Sequence, residues 1–252
     1  MSEPLPPPPS DSSSAPPPGG PDDEARPQAA GQLPGGWGAT RVLAGLGALL
    51  LLTLLQVVVI TAFDPDIDSL GARLALQLAL ALTLVGVAFF AAGEGSLADP
   101  AELGLRRSRV PPFKPAALAY LVYIVCAITI ALAIQPEQED VTEELGYGEG
   151  GFANIIVGVL IIGVAPFTEE IFFRGFMFAG LRRALPFAAA AAISGGLWGL
   201  FHYTGAGTWG VVLQLFAFGL VLSWLYERTG SIWPPIAVHA LNNAIAFAIL
   251  TS

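Results

Sequence analysis

Ionisable side chains inside apolar stretches are the first feature of this sequence that could do chemistry. A charged residue at the centre of a membrane helix costs about 2.5 to 3.5 kcal/mol on insertion scales, so each one calls for a function or a partner. The densest group is Glu169, Glu170 and Arg174, which lie among aromatic residues. Two adjacent carboxylates with one guanidinium can form an ion pair and still leave one carboxylate for general acid–base catalysis.

The spacing of these three residues assigns them different environments. Glu170 and Arg174 are four residues apart with the acid first, which is the favourable order for an ion pair on one helix face. Glu169 is turned by about 100° around the helix and has no cation of its own four residues later. We therefore expect Glu169 either to take up a proton or to find a partner on another helix.

Both histidines of the chain, His202 and His239, lie in apolar segments rather than in polar loops. Glu169 stands sixteen residues before Leu185, and His202 stands sixteen residues after Pro186. If the two flanking segments form an antiparallel helical hairpin, equal spacing places Glu169 and His202 at one depth. The glycine-rich run before His202 permits close approach of helices in a membrane.

His239 and Asn243 follow a second turn, at Thr229 and Gly230. They are four residues apart and so share one helix face. At about 1.5 Å per residue they reach a depth similar to that of Glu169, within the error of helix ends and tilt. We predict that these four polar groups converge.

The elements that must position these residues are long apolar helices. The chain is 54% hydrophobic and only 12% charged, whereas soluble domains are about a quarter charged. Apolar segments cover residues 40–62, 72–92, 115–134, 152–184, 187–203, 208–226 and 231–250. The segment 152–184 is longer than one span needs, and we expect a kink at Pro166. The sequence predicts an all-α, multi-pass bundle of seven to eight transmembrane helices in the cell membrane.

Three regions follow from composition. Residues 1–38 are rich in proline and serine and are predicted to form a disordered tail. Residues 39–140 hold the N-terminal transmembrane helices, and residues 152–252 hold the predicted catalytic core. Lysine and arginine in the loops after the second and fourth segments predict a cytoplasmic N-terminus.

Several function classes are disfavoured. A formal net charge of −9 argues against binding nucleic acid. The single cysteine, Cys126, offers no intrachain disulfide and no cysteine metal site. A serine or cysteine nucleophile lacks a base at a justified spacing: Ser194 has no acid–base pair, and Cys126 lies outside any motif.

Three short motifs in order resemble the CPBP family of intramembrane proteases, which comprises CAAX proteases and bacteriocin-processing enzymes and is also called Abi. The resemblance covers Phe152 to Ser252 and rests on the following residues: Glu169, Glu170, Arg174, Trp198, His202, His239 and Asn243. Trp198 stands where the family usually has phenylalanine. We expect this change of aromatic residue to affect packing more than catalysis.

The resemblance implies a role for each site residue. Glu169 would be the general base that activates a water together with His202, and His239 and Asn243 would stabilise the oxyanion. The remaining pair, Glu170 and Arg174, would hold the geometry of the helix. The implied substrate is a membrane-delivered or prenylated, CAAX-type peptide.

A metal cofactor is an open alternative. Family members are often labelled metalloproteases, and zinc is a candidate cofactor with Glu169, His202 and His239 as its ligands. The sequence has no HExxH motif, and the same groups suit a metal-free glutamate protease, which we favour.

Two further classes of function remain. One is a non-catalytic membrane scaffold or bacteriocin-immunity protein that binds a peptide in the same cavity. The other is a proton-coupled transporter, which is disfavoured because the polar residues are concentrated in the last four segments rather than spread over two equivalent halves.

Overall fold

A computed structural model describes residues 33–63, 66, 69–93, 96–136 and 141–252. All regular structure in these residues is helical, which confirms the predicted all-α class. The long helices are α1 (Ala39–Phe63), α2 (Leu70–Ala92), α3 (Phe113–Ile134), α4 (Gly151–Arg182), α5 (Phe187–Leu200), α6 (Trp209–Thr229) and α7 (Trp233–Leu250). Most of the tail predicted to be disordered, residues 1–32, lies outside the described residues.

Six of these helices are long and apolar enough to cross a membrane; α5, with 14 residues, is too short by that measure. Large apolar side chains such as Leu51 (67% exposed) and Leu132 (77% exposed) point outward from α1 and α3. An outward apolar face of this kind suits contact with lipid tails. The protein is a multi-pass membrane protein, and the seven predicted helical segments are all present.

The end of α5 differs from the prediction. The segment was expected to stay helical to residue 203, but the helix ends at Leu200. The N–H groups of His202 and Tyr203 donate to the carbonyls of Gly199 and Leu200, three residues back. These tighter bonds close the last turn of the helix, as is common at helix C-termini. His202 therefore lies in the closing turn rather than within α5.

The central element is α4, which packs against α2, α5, α6 and α7. Its residues from Ile171 to Phe178 are all buried and adopt a π-helical conformation, in which N–H groups bond five residues back. Two carbonyls of this stretch accept hydrogen bonds from outside the helix: Ser194 Oγ donates to Phe173 O and Trp37 Nε1 donates to Phe176 O, each over 2.8 Å. Neighbouring side chains thus hold the π-helical stretch.

The predicted close approach of glycine-bearing helices is confirmed between α5 and α6. A Cβ atom placed on Gly219 would stand 2.6 Å from the Cα of Gly195. It would also stand 3.3 Å from Nη2 of Arg174. Backbone contact at this point leaves no room for a side chain and brings α6 against the guanidinium of α4.

We therefore expect Gly219→Ala to lower the free energy of unfolding by about 1–3 kcal/mol, because the added methyl group meets backbone that cannot rotate away. Gly196→Ala is the matched control, since a Cβ there would meet only Phe216, at 3.9 Å. Thermal unfolding in detergent micelles measures both. Equal melting temperatures for the two variants would contradict the contact between α5 and α6.

Candidate active site

One of the two adjacent carboxylates is locked in a buried ion pair. Arg174 Nη1 donates to Glu170 Oε1 over 2.8 Å, and both side chains are fully buried. His239 Nδ1, on α7, lies 3.0 Å from the same oxygen. The ion pair predicted from the spacing of four is confirmed, and His239 joins Glu170 rather than Glu169.

The other carboxylate has a different partner. Trp198 Nε1, on α5, donates to Glu169 Oε2 over 2.6 Å. The Glu169 side chain is only partly buried and makes no salt bridge within the described residues. Of the two outcomes expected for Glu169, the structure shows the second, a partner on another helix.

His202 completes this side of the cluster. Its Nδ1 lies 2.9 Å from the carbonyl oxygen of Trp198, and its ring stands edge-to-face against the indole with centroids 5.6 Å apart. A carbonyl can only accept a hydrogen bond, so Nδ1 carries the proton. In the neutral ring Nε2 is then an acceptor, which is the form that can take a proton from water.

The same reasoning applies to His239. Its Nδ1 faces an oxygen of Glu170 that also accepts from Arg174, so Nδ1 is the protonated nitrogen. A neutral His239 therefore presents an acceptor at Nε2. The oxyanion role expected for this residue requires a second proton, because an oxyanion needs an N–H donor.

Asn243 makes a contact that the spacing did not predict. Its Nδ2 donates to the backbone carbonyl of Ile161 over 2.9 Å. The N–H of Ala165 bonds to Leu160 instead of Ile161, and the next residue, Pro166, has no N–H. Asn243 thus satisfies a carbonyl that α4 leaves without a donor, one turn before the proline at which we expected a kink.

We expect Asn243→Ala to lower the free energy of unfolding by about 1–3 kcal/mol, because the carbonyl of Ile161 loses its donor. The loss should shrink in a Pro166→Ala background, where the restored N–H can bond within α4. Melting temperatures of the two single variants and the double variant measure this coupling. If the losses are additive, the hydrogen bond to Ile161 does not support the fold.

The structure brings five predicted site residues around one indole: Glu169, Glu170, Arg174, His202 and His239 all lie within one or two contacts of Trp198. Glu169 and His202 are joined through this residue, and no direct hydrogen bond links them within the described residues. The sequence contained a signal for this contact, since tryptophan carries an N–H donor that phenylalanine lacks. The prediction nevertheless assigned Trp198 to packing.

A metal-ligand set does not form from the predicted candidates. Within the described part of the chain, no three His, Cys, Asp or Glu side chains lie close enough to hold one ion. One atom of each candidate is already engaged: Glu169 Oε2 by Trp198, His202 Nδ1 by a carbonyl and His239 Nδ1 by Glu170. These bonds leave Oε1 of Glu169 and Nε2 of both histidines as the atoms that would face a water or a zinc ion.

The segment that holds this cluster is similar to a known protein family. Residues 151–245 match the family model described as type II CAAX prenyl endopeptidase Rce1-like. These residues form an Rce1-like domain. The domain contains all six predicted site residues, whereas α1, α2 and α3 lie outside it. This match supports the resemblance to the CPBP family that the motifs indicated.

Two curated relatives come from Bacillus subtilis strain 168. "Uncharacterized protein YyaK" is 26% identical over 140 residues, which cover 53% of this chain and 46% of the relative. "Putative membrane peptidase YdiL" is 35% identical over 80 residues, which cover 32% of this chain and 31% of the relative. The chain thus spans less than half the length of either relative. No solved structure is significantly similar.

The Rce1-like domain is supported from outside its own boundaries. Trp37, just before α1, donates to the carbonyl of Phe176 and stacks on its ring with centroids 6.0 Å apart. Arg41 donates to the carbonyls of Ala92 and Gly93 at the end of α2. These contacts fix the N-terminal helices against the helix that carries Glu169 and Glu170.

Proposed function

We propose that the protein is an intramembrane endopeptidase that hydrolyses a membrane-delivered or prenylated, CAAX-type peptide. This proposal rests on the different environments of two adjacent carboxylates. Glu170 is fully buried and neutralised by Arg174, whereas Glu169 is partly exposed and makes no salt bridge among the described residues. A carboxylate kept free beside an imidazole with an available Nε2 is the arrangement that activates water.

In the proposed reaction, Glu169 takes a proton from a water that also donates to Nε2 of His202. The water oxygen attacks the scissile carbonyl, and a C–O bond forms as the carbonyl π bond opens. The tetrahedral intermediate then loses the amine when the C–N bond breaks. The proton held by Glu169 or His202 passes to the leaving nitrogen, so one water is consumed for each peptide bond cleaved.

Stabilisation of the oxyanion is assigned to α7. His239 can donate from Nε2 when both of its ring nitrogens carry a proton, and Glu170 holds its Nδ1. Asn243 holds the distorted turn of α4 through Ile161 in the resting structure. Its second amide hydrogen is free to donate to substrate, so the predicted oxyanion role of Asn243 is retained in the proposal.

The short helix α5 provides a route for water. Its 14 residues span about 21 Å, less than a hydrocarbon core of about 30 Å. Residues 203–205 continue as non-helical backbone, and Thr204 is exposed. Irregular backbone at membrane depth is tolerated where it meets water or protein. In this proposal His202 lies at the end of α5 that water reaches. The opposite end of α5 follows the turn that carries Arg182 and Arg183.

The proposal assigns water activation to these side chains without a metal. Exhaustive chelation followed by removal of the chelator should leave the rate of cleavage unchanged. Elemental analysis of the purified protein should find far less than one zinc per chain. Loss of activity on chelation, restored by added zinc alone, would instead support the metalloprotease alternative with Glu169, His202 and His239 as ligands.

The test of the reaction class uses purified protein in proteoliposomes and an internally quenched, farnesylated peptide ending in a CAAX sequence. The proposal predicts two peptide products with a new carboxylate that carries ¹⁸O when the reaction is run in ¹⁸O-labelled water. A transmembrane peptide without a lipid is the comparison substrate. Tight binding of both peptides with no cleavage of either would support the scaffold or immunity function instead.

A further inference from the structure

Trp198 contacts both sides of the proposed site, the side of Glu169 and His202 and the side of Arg174 and His239. It is fully buried on α5, one turn before His202. Its indole N–H donates to Glu169 over 2.6 Å, and its ring lies 4.4 Å from the guanidinium carbon of Arg174. Through its N–H and its π face, one residue contacts the carboxylate proposed as the base and the cation that neutralises the other carboxylate.

The two histidines lie against the edges of the same indole. The ring centroids of His202 and His239 stand 5.6 and 5.2 Å from that of Trp198, both edge-to-face. Phe218 closes the remaining side, with its centroid 5.9 Å from the indole and 5.6 Å from His239. The orientations of both imidazoles therefore depend on the indole plane.

The chemistry of the indole decides what its hydrogen bond does. An indole nitrogen donates and never accepts, so the oxygen it faces must be an acceptor. Oε2 of Glu169 is thereby engaged as an acceptor, and Oε1 is the oxygen left to meet water. The cation–π contact meanwhile holds Arg174 over the ring, where it bonds Glu170.

We propose that Trp198 is a positioning residue that orients Glu169 for water activation and keeps Arg174 paired with Glu170. This inference rests on the proposed function, because it assigns Glu169 as the base. It revises the expectation that tryptophan at this position affects packing more than catalysis. A phenylalanine would fill only part of the space and would leave Glu169 without this donor.

The test separates the N–H group from the shape of the ring. Benzothienylalanine at position 198 replaces the indole N–H by sulfur with little change in shape, whereas 5-fluorotryptophan keeps the N–H. Trp198→Phe is the encodable counterpart, and Trp224→Phe, on a partly buried tryptophan of α6, is the control. The farnesylated CAAX peptide is the probe, and kcat, KM and melting temperature are measured for each variant.

We expect the benzothienylalanine and phenylalanine variants to lose about 10- to 100-fold in kcat with little change in KM, because the base is misoriented while the peptide still binds. The Trp224→Phe variant should keep wild-type kcat, and the 5-fluorotryptophan variant, which retains the N–H group, should lose far less than the benzothienylalanine variant. An unchanged kcat for the benzothienylalanine variant would overturn the role of Trp198 alone. Failure of the proposed function gives a different result, in which the Glu169→Gln variant cleaves the peptide normally.

Discussion

Arg174→Met is expected to lower the free energy of unfolding by about 3–5 kcal/mol, more than Gly219→Ala or Asn243→Ala. The substitution leaves Glu170 fully buried without its cation, and an uncompensated buried charge is far more costly than the absence of the pair. Unfolding in detergent micelles, followed by tryptophan fluorescence, measures the loss.

The control applies the same substitution to an ion pair that is partly exposed. Arg182 donates to both oxygens of Glu227 over 2.7 and 2.9 Å, but about a quarter of each side chain is exposed. We expect Arg182→Met to cost less than about 1 kcal/mol, because solvent screens the charge that remains. The double variant Arg174→Met with Glu170→Gln should recover much of the lost stability. Equal costs for the two arginine substitutions would contradict the burial of the Glu170–Arg174 pair.

Glu169→Gln and His202→Ala are each expected to reduce kcat by about 10²- to 10⁴-fold, the range in which general bases contribute. If both side chains act on one water, removing either abolishes the step, and the double variant loses little more than each single one. The farnesylated CAAX peptide in proteoliposomes is the assay. Melting temperatures should stay close to wild type, since Glu169 is partly exposed and makes no ion pair in the described structure.

The control for these variants removes a carboxylate elsewhere in the protein. Glu102 is exposed in the connection between α2 and α3, and Glu102→Gln should keep full activity. Multiplicative losses in the double variant of Glu169 and His202 would mean that the two residues act on separate steps.

The parts of the site that sequence could predict are those set by local helix geometry. A spacing of four fixes Glu170 and Arg174 on one face whatever surrounds them, and the structure confirms their pairing. The glycines before His202 likewise predicted a close helix contact, which Gly195 makes with Gly219. Both features follow from periodicity and side-chain size, which are properties of the sequence alone.

The partners of Glu169 and Asn243 could not be derived in this way. Equal spacing from the turn placed His202 near the correct end of the hairpin, but it could not show that Trp198, one turn earlier, points its N–H at the carboxylate. That direction depends on the rotation of α5 about its own axis, which tertiary packing sets. The bond from Asn243 to Ile161 depends on a π-helical stretch, for which spacing carries no signal.

The end of α5 could not be predicted from the sequence either. Its apolar run continues past residue 200, so hydrophobicity alone predicts a longer helix. The helix ends where backbone N–H groups turn back by three residues, and this places His202 in a partly exposed turn. Helix ends are the least predictable part of an element, and in the proposed function this end is where water reaches the site.

We propose above that Glu169 activates water for peptide hydrolysis within the membrane. Mass spectrometry of the farnesylated CAAX peptide, after incubation with wild-type and Glu169→Gln proteoliposomes in ¹⁸O-labelled water, measures this step most directly. We expect a labelled carboxylate product from the wild type and none from the folded variant. An equal yield of labelled product from both proteins would contradict the role of Glu169.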